Sequence, residues 1–303
     1  MITLNLTDLE KSDIKYEISR FPDGQQQVKI VNYNDLFTDD DYDFGDVYLR
    51  TDVLIKTRLN NFKDLEILIC AVKSLKNLGV EHIELYVPYF LGSRSDRKFE
   101  EGSNNYLKDV ICPIINSLNF QSVTVLDSHS DVLEACLNNF KKVDNKELIE
   151  FSLFNIGKTK EINNLKNILN NSILISPDAG ANKKIFKIAE QIGYTGEIIT
   201  CSKSRDEQGK LSRVEIPTIP YNQDCIIIDD ICDGGATFIN IAKELKKPNL
   251  YNKVYLIVTH GIFSKGFKEL NQYFDGIYCT NSYHNITSDE YGEKTNVKQL
   301  NVF

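Results

Sequence analysis

The stretch Ile226 to Phe238, IIIDDICDGGATF, constrains the fold more than any other part of the chain. Its run of isoleucines reads as a strand that needs cover on both faces, as the strands of parallel sheets do. Asp229, Asp230 and Asp233 follow, then Gly234 and Gly235, and neither residue type serves core packing at a strand end. A buried strand, a glycine loop and a helix with Thr237 in its first turn bring free N–H groups and the helix dipole to one spot, an arrangement suited to an anion. Bare phosphate does not favour adjacent carboxylates, so Asp229 and Asp230 point instead to sugar hydroxyls or a magnesium ion. The competing account is a turn that uses Asp and Gly for conformation alone, but the acidic pair precedes the turn.

Strand-like and helix-like runs alternate along most of the chain, which predicts an α/β fold of two doubly wound domains with mostly parallel sheets. From Asn61 to Gly79 the residues Leu65, Leu68, Ile69, Val72, Leu75 and Leu78 recur at helical spacing, with Gly79 as a stop. IELYVPYF is the next strand, followed by the loop LGSRSDRKFEEGS, a helix from about Asn104 to Leu118, and the strand SVTVLD ending in SHSD. Lys141 to Lys160 is charged and weakly patterned, and reads as a crossing between domains. A second cycle opens with ILISPDAGANKKIFKIAEQIG and continues through GEIITC. SKSRDEQGKLSR is too polar to pack and reads as a mobile excursion. A helix from Thr237 to Lys247, stopped by Pro248, and the strand VYLIVTHG complete the cycle.

With 303 residues there is ample material for two cores. A net charge of -8 argues against a nucleic-acid partner, which would need clustered Lys and Arg. The seven cysteines lack zinc-site spacing and mostly fall in apolar runs, as reduced core thiols do. The start MITLNLTDLEKSD has no secretory character, and no apolar run approaches the roughly 20 residues that span a bilayer. No membrane partner and a cytoplasmic location are expected.

The segment from Asp229 to Thr237 resembles the ribose-phosphate motif of phosphoribosyltransferases and of class I ribose-phosphate pyrophosphokinases, the phosphoribosyl pyrophosphate synthetases. RFPDGQQQVKI at Arg20 to Ile30 resembles the segment by which the synthetases hold adenine, usually across a subunit boundary, and VPYFLGSRSDRKF resembles their ATP loop. VLDSHSD, ISPDAG, SKSR and VTHGIFSKG resemble, in family order, the metal-binding histidine segment, a metal-site turn, the catalytic flexible loop and the stretch after the ribose loop. The resemblance runs from residue 20 to about 282.

It implies that Phe21, Asp23 and Gln25 contact adenine, with Gln standing where the family has an acid. Arg94, Asp96, Arg97 and Lys98 match the nucleotide loop, where guanidinium forks suit polyphosphate oxygens. His129 matches an ATP-binding position and, with Asp178, the magnesium site. Asp229, Asp230, Asp233, Gly234, Gly235, Ala236 and Thr237 match the ribose-phosphate loop, and Lys203 and Arg205 the catalytic pair. Asp206 and Glu207 have no assigned role. Judged without the family, His129 could be a satisfied strand-end histidine and the basic loop a solvated face. The resemblance further implies ATP and ribose 5-phosphate as substrates and Mg2+ as cofactor. It also implies a homo-oligomer, at least a dimer with a hexamer as the larger candidate, and domains at 1–142 and 143–285 with residues 286–303 returning to the first.

The synthetases usually have Thr at the position of Gly234, where its hydroxyl helps grip a terminal 5-phosphate. Gly removes that donor and opens space. DDICDGGAT resembles the loop of a divergent, largely phage-borne branch that uses ADP-ribose in place of ribose 5-phosphate, making ADP-ribose 1-pyrophosphate for NAD synthesis. A base-transferring phosphoribosyltransferase and a silent regulatory relative are the other readings. The first would not need RFPDG and SRSDRK, and the second would be expected to lose catalytic-loop or metal-site residues that are retained here.

Overall fold

The structure is a computed structural model that describes residues 1–36, 52–158, 162–205, 211–248, 250, 252–287, 289–290 and 293–303. It divides into two units, Met1–Val143 with Phe303, and Asp144–Val302.

The first unit holds strands β1 (Ile2–Asn5), β2 (Tyr16–Arg20), β3 (Gln26–Ile30), β4 (Val53–Lys56), β5 (Ile83–Tyr86), β6 (Ser122–Leu126) and β7 (Phe140–Val143), with helices α1 (Phe62–Asn77), α2 (Cys112–Ser117) and α3 (Val132–Cys136). Five strands form a parallel sheet in the order β1-β4-β5-β6-β7. Asn61 starts α1 because its side chain accepts from the Lys63 and Asp64 amides. Leu65, Leu68, Ala71, Val72 and Leu75 then share the buried face, as their spacing requires. β2 and β3 form an antiparallel hairpin that rests on α1, where the Ser74 hydroxyl donates to the Val28 carbonyl at 2.7 Å. The helix expected from about Asn104 starts instead as a π-helical turn, Leu107–Ile111, and continues as α2 with Pro113 in its first turn.

The second unit contains α4 (Lys146–Ile156), α5 (Ile162–Asn170), β8 (Ser172–Ser176), α6 (Asn182–Gln191), β9 (Ile198–Thr200), β10 (Ser202–Arg205), β11 (Leu211–Glu215), β12 (Asp224–Cys232), α7 (Ala236–Leu245), β13 (Lys253–Gly261), α8 (Lys268–Tyr273), β14 (Gly276–Thr280), β15 (Asp289–Glu290), β16 (Glu293–Lys294) and β17 (Val297–Leu300). Its main sheet is parallel, in the order β17-β14-β13-β12-β8-β9. The isoleucine run of β12 is covered on both faces. Ile227 joins a core with Phe238, Ile241 and Leu245 of α7, whereas Ile226 and Ile228 join Leu148 and Leu153 of α4 and Ile185 and Ile188 of α6. Burial of this kind is worth about 25 cal/mol per Å² of apolar surface, which is why three isoleucines in a row prefer a central strand.

Three expectations are corrected here. The boundary between the units, Val143/Asp144, falls within Lys141 to Lys160 as expected, but the stretch is not weakly patterned: it holds the end of β7 and then α4, whose charged exposed face hides the buried stripe Leu148, Ile149 and Leu153. The C-terminal strand does not return to the first unit. β17 pairs with β14, a fully buried strand that needs a neighbour on that side, and only Phe303 groups with the first unit. Within SKSRDEQGKLSR, residues 202–205 and 211–215 pair as the antiparallel ribbon β10–β11, since a two-stranded ribbon satisfies its backbone without an apolar face. Residues 206–210, including Asp206 and Glu207, lie outside the described residues.

Candidate active site

In the second sheet the chain passes from β8 outward to β9 and then returns to the other side of β8 as β12. This reversal of winding is a topological switch point, where crevices open at the carboxyl ends of parallel strands. Pairing of β12 with β8 ends at Ile227 and Ile175, while pairing with β13 continues to Cys232 and Gly261. The acidic pair therefore sits on β12 just past the residues paired with β8, and Asp178 lies just beyond the end of β8.

Asp178 caps the short turn Ala179–Ala181 by accepting from the Ala181 amide at 3.0 Å. Asp230 is 5% exposed, and its Oδ2 accepts from Lys184 Nζ of α6 at 2.9 Å. Its amide donates to Asp229 Oδ1 at 2.8 Å. Asp229 has the opposite electrostatic setting. Burial, then the charge of Asp230 and further that of Asp178, hold its carboxyl well above the usual carboxylate range. Burial, followed by the charge of Asp178, pushes the Cys201 thiol up to about 12, so this cysteine is protonated and inert near neutral pH. All seven cysteines are free.

The glycine loop follows. Gly235 has φ +77, and a Cβ there would come within 3.1 Å of Leu270 Cδ2, so both conformation and space demand glycine. Gly234 is different. A Cβ at this position would lie 3.2 Å from Cδ and Cε of Lys265, so the space expected to be open is crossed by a lysine stem. Asp233 Oδ1 accepts from the Ser264 hydroxyl at 2.5 Å, tying the loop to the turn before α8. Ala236 begins α7 and Thr237 is in its first turn. Lys203 and Arg205 belong to β10, in the ribbon that follows β9 at the same edge of the sheet, and only their backbone is described.

The first unit gathers a different set. Phe21, Asp23 and Gln25 form the tip of the β2–β3 hairpin, where the Phe21 amide donates to the Gln25 carbonyl at 2.9 Å and Asp23 Oδ1 accepts from the Gln25 amide at 3.3 Å. The Phe21 ring is 50% exposed. Arg94, Asp96, Arg97 and Lys98 occupy the loop after β5, and His129 the loop after β6. Because β5 and β6 are parallel neighbours, the two loops share one sheet edge. The Leu126 amide donates to the Pro88 carbonyl at 3.2 Å and so links them. Arg94, Arg97, Lys98 and His129 are exposed, and Arg97 lies 5.4 Å from the Phe99 ring centroid. His129 thus stands with the basic loop in one unit and Asp178 with the acids in the other.

No family model matches the chain. It is 24% identical over 279 residues to the ribose-phosphate pyrophosphokinase of Thermococcus kodakarensis, spanning 89% of this chain and 86% of that one. With the enzyme of the same name from Pyrococcus furiosus the identity is 27% over 284 residues, 90% and 88% of the two chains. The chain is similar over nearly its whole length to ribose-phosphate pyrophosphokinases. In fold it is similar to the phosphoribosylpyrophosphate synthetase from Mycobacterium smegmatis, with a TM-score of 0.75 at 14% identity, covering 100% of this chain and 95% of that one.

Within this fold, two lysines stand out that carry no mark in the sequence. Lys184 is one of three lysines in NKKIFKIAEQ, and nothing in that spacing tells which one reaches a buried acid. Lys265 sits in a loop distant in sequence from the glycines that it touches. Among the described residues no three His, Cys, Asp or Glu side chains converge to hold a metal, and no helix is long and apolar enough to cross a membrane. A magnesium ion suits the acids nonetheless. Mg2+ is commonly bound through one or two carboxylates, waters and substrate phosphates, and the raised Asp229 carboxyl marks a place where added positive charge is favourable.

Proposed function

We propose that this enzyme transfers the β,γ-diphosphoryl group of ATP to the anomeric hydroxyl of a 5-phosphorylated ribose. The O1 oxygen attacks the β-phosphorus, the bond to the α,β-bridging oxygen breaks, AMP departs with that oxygen, and the hydroxyl proton is released. The observation that carries this reading is the acid pair and glycine loop at the switch point of the second sheet. Asp229 and Asp230 would accept from ribose hydroxyls, and the amides at the start of α7 would receive the 5-phosphate. Arg94, Arg97 and Lys98 would bind the polyphosphate, with Phe21 against adenine and Asp23, Gln25 and Asp96 beside them. Lys203 and Arg205 would stabilise charge on the transferred group as it moves. Magnesium, proposed at His129 and Asp178, supplies charge neutralisation on the phosphate oxygens when bound. A homo-oligomer would complete the site by bringing the hairpin tip of one copy to another.

Ribose 5-phosphate is the acceptor by family default. ADP-ribose is the second reading, on the likeness of DDICDGGAT to the loop of the divergent branch, with the same chemistry on a longer acceptor. AMP release from MgATP, measured in parallel with ribose 5-phosphate and ADP-ribose, decides between them. No release with either acceptor sinks the proposed reaction.

A further inference from the structure

The turn between β13 and α8 is built onto the glycine loop. The Ile262 and Phe263 amides both donate to the Cys232 carbonyl, at 2.8 and 3.2 Å. Ser264 holds Asp233 at 2.5 Å. Phe263 takes a left-handed φ of 49°, uncommon for a bulky residue, and its fully buried ring packs 4.9 Å from that of Phe267. Gly261 permits the fold-back, since a Cβ there would meet the Phe263 ring at 2.1 Å. These contacts anchor the turn on both sides of Lys265, whose stem lies against Gly234 with Cγ, Cδ and Cε at 3.2 to 3.4 Å from the place of a Cβ. A side chain at residue 234 would crowd the stem where it now lies.

We propose that Lys265 is a binding residue for the phosphate of the acceptor sugar, and that Gly234 is glycine so that this lysine can cross the loop. Lys265 is exposed at the loop, and among the described residues its ammonium makes no ion pair or hydrogen bond. A hydroxyl at position 234 would be one neutral donor with fixed direction. An ammonium is a full charge with three donors, which serves a monoester and a phosphate that continues into a second group equally well. The loop has exchanged a directional contact for an electrostatic one. This inference rests on the proposed reaction for the identity of the acceptor, but the anion itself can be probed directly.

The test is equilibrium binding of ribose 5-phosphate, ADP-ribose and inorganic phosphate to the full chain by calorimetry, together with the steady-state KM for acceptor and for MgATP. Lys265→Met keeps the stem and removes the charge. It should weaken acceptor binding by roughly tenfold, the scale of one charge-assisted contact, with the loss on the acceptor KM rather than on that for MgATP. Lys265→Arg should recover most of the affinity, and the salt dependence of acceptor binding should be shallower in the Met variant. Gly234→Thr, which drives a side chain into the stem, should lose acceptor affinity in the same way. Unchanged acceptor affinity in Lys265→Met overturns the proposal, as does a wild-type protein that binds none of the three probes. A wild type that binds the probes but releases no AMP refutes the reaction instead, and the Kd comparison then decides the lysine alone. Preference for ribose 5-phosphate over ADP-ribose, or the reverse, identifies which phosphate the lysine serves.

Discussion

The carboxyl edges of the two sheets carry opposite chemistry on similar scaffolds. Among the described residues the first sheet adds its strands in sequence order, β1-β4-β5-β6-β7, and collects exposed basic side chains on the loops after β5 and β6: Arg94, Arg97, Lys98 and His129. The second sheet reverses direction between β8 and β12, and there the groups are acids with fixed neighbours: Asp230 on Lys184, Asp233 on Ser264, Asp178 on a helical turn. Exposed basic side chains keep much of their hydration and can rearrange around a flexible polyphosphate. A buried acid such as Asp230 costs folding energy unless partnered, so it occurs only where the scaffold dictates its geometry. In the proposed reaction, the adaptable edge suits the donor and the rigid edge suits the acceptor.

Four substitutions would break or sharpen that contrast. Lys203→Ala should cut AMP release by roughly 10²–10³-fold, the usual cost of one transition-state donor, with little change in melting temperature; unchanged turnover would remove the β10 ribbon from the mechanism. Asp229→Asn should lower turnover by about 100-fold yet raise the melting temperature of the ligand-free protein by about 2–4 °C at neutral pH. The sign follows from its raised pKa: in the folded state the ionised carboxyl is disfavoured, a cost absent below the ordinary carboxylate range that grows as pH rises through the folded value. Thermal melts of both proteins across acidic to neutral pH should therefore converge on acidification, and parallel curves would refute the assignment. Arg94→Ala, on the adaptable edge, should raise the KM for MgATP about tenfold while sparing the acceptor KM, since neighbouring cations compensate; an acceptor effect of equal size would erase the proposed division of labour. Lys184→Met should show its main effect in stability, lowering it by about 3 kcal/mol in denaturant titration because the buried Asp230 carboxylate loses its ammonium at 2.9 Å. A loss below about 0.5 kcal/mol would place Lys184 among ordinary surface ion pairs.

Much of this arrangement was legible in the residues. IIIDDICDGGATF read as a doubly covered strand, a glycine loop and a helix, and β12 and α7 have that form because β-branched runs and a glycine at φ +77 leave few alternatives. The α/β class followed from alternating apolar periods. Other parts were hidden for identifiable reasons. The charged face of α4 masked its buried stripe, and β17 carried no mark of which sheet edge would accept it. The ribbon β10–β11 looked like a loop because a solvated two-stranded ribbon has no apolar signature.

Local spacing and motifs read in order were enough for the parallel architecture and the residue types gathered at each loop. Only the tertiary structure decided the pairings: Lys184 with Asp230, Ser264 with Asp233, and the Lys265 stem across Gly234. Each joins residues from different βα units, and their proximity arises only when parallel strands stack side by side and bring distant loops to one edge.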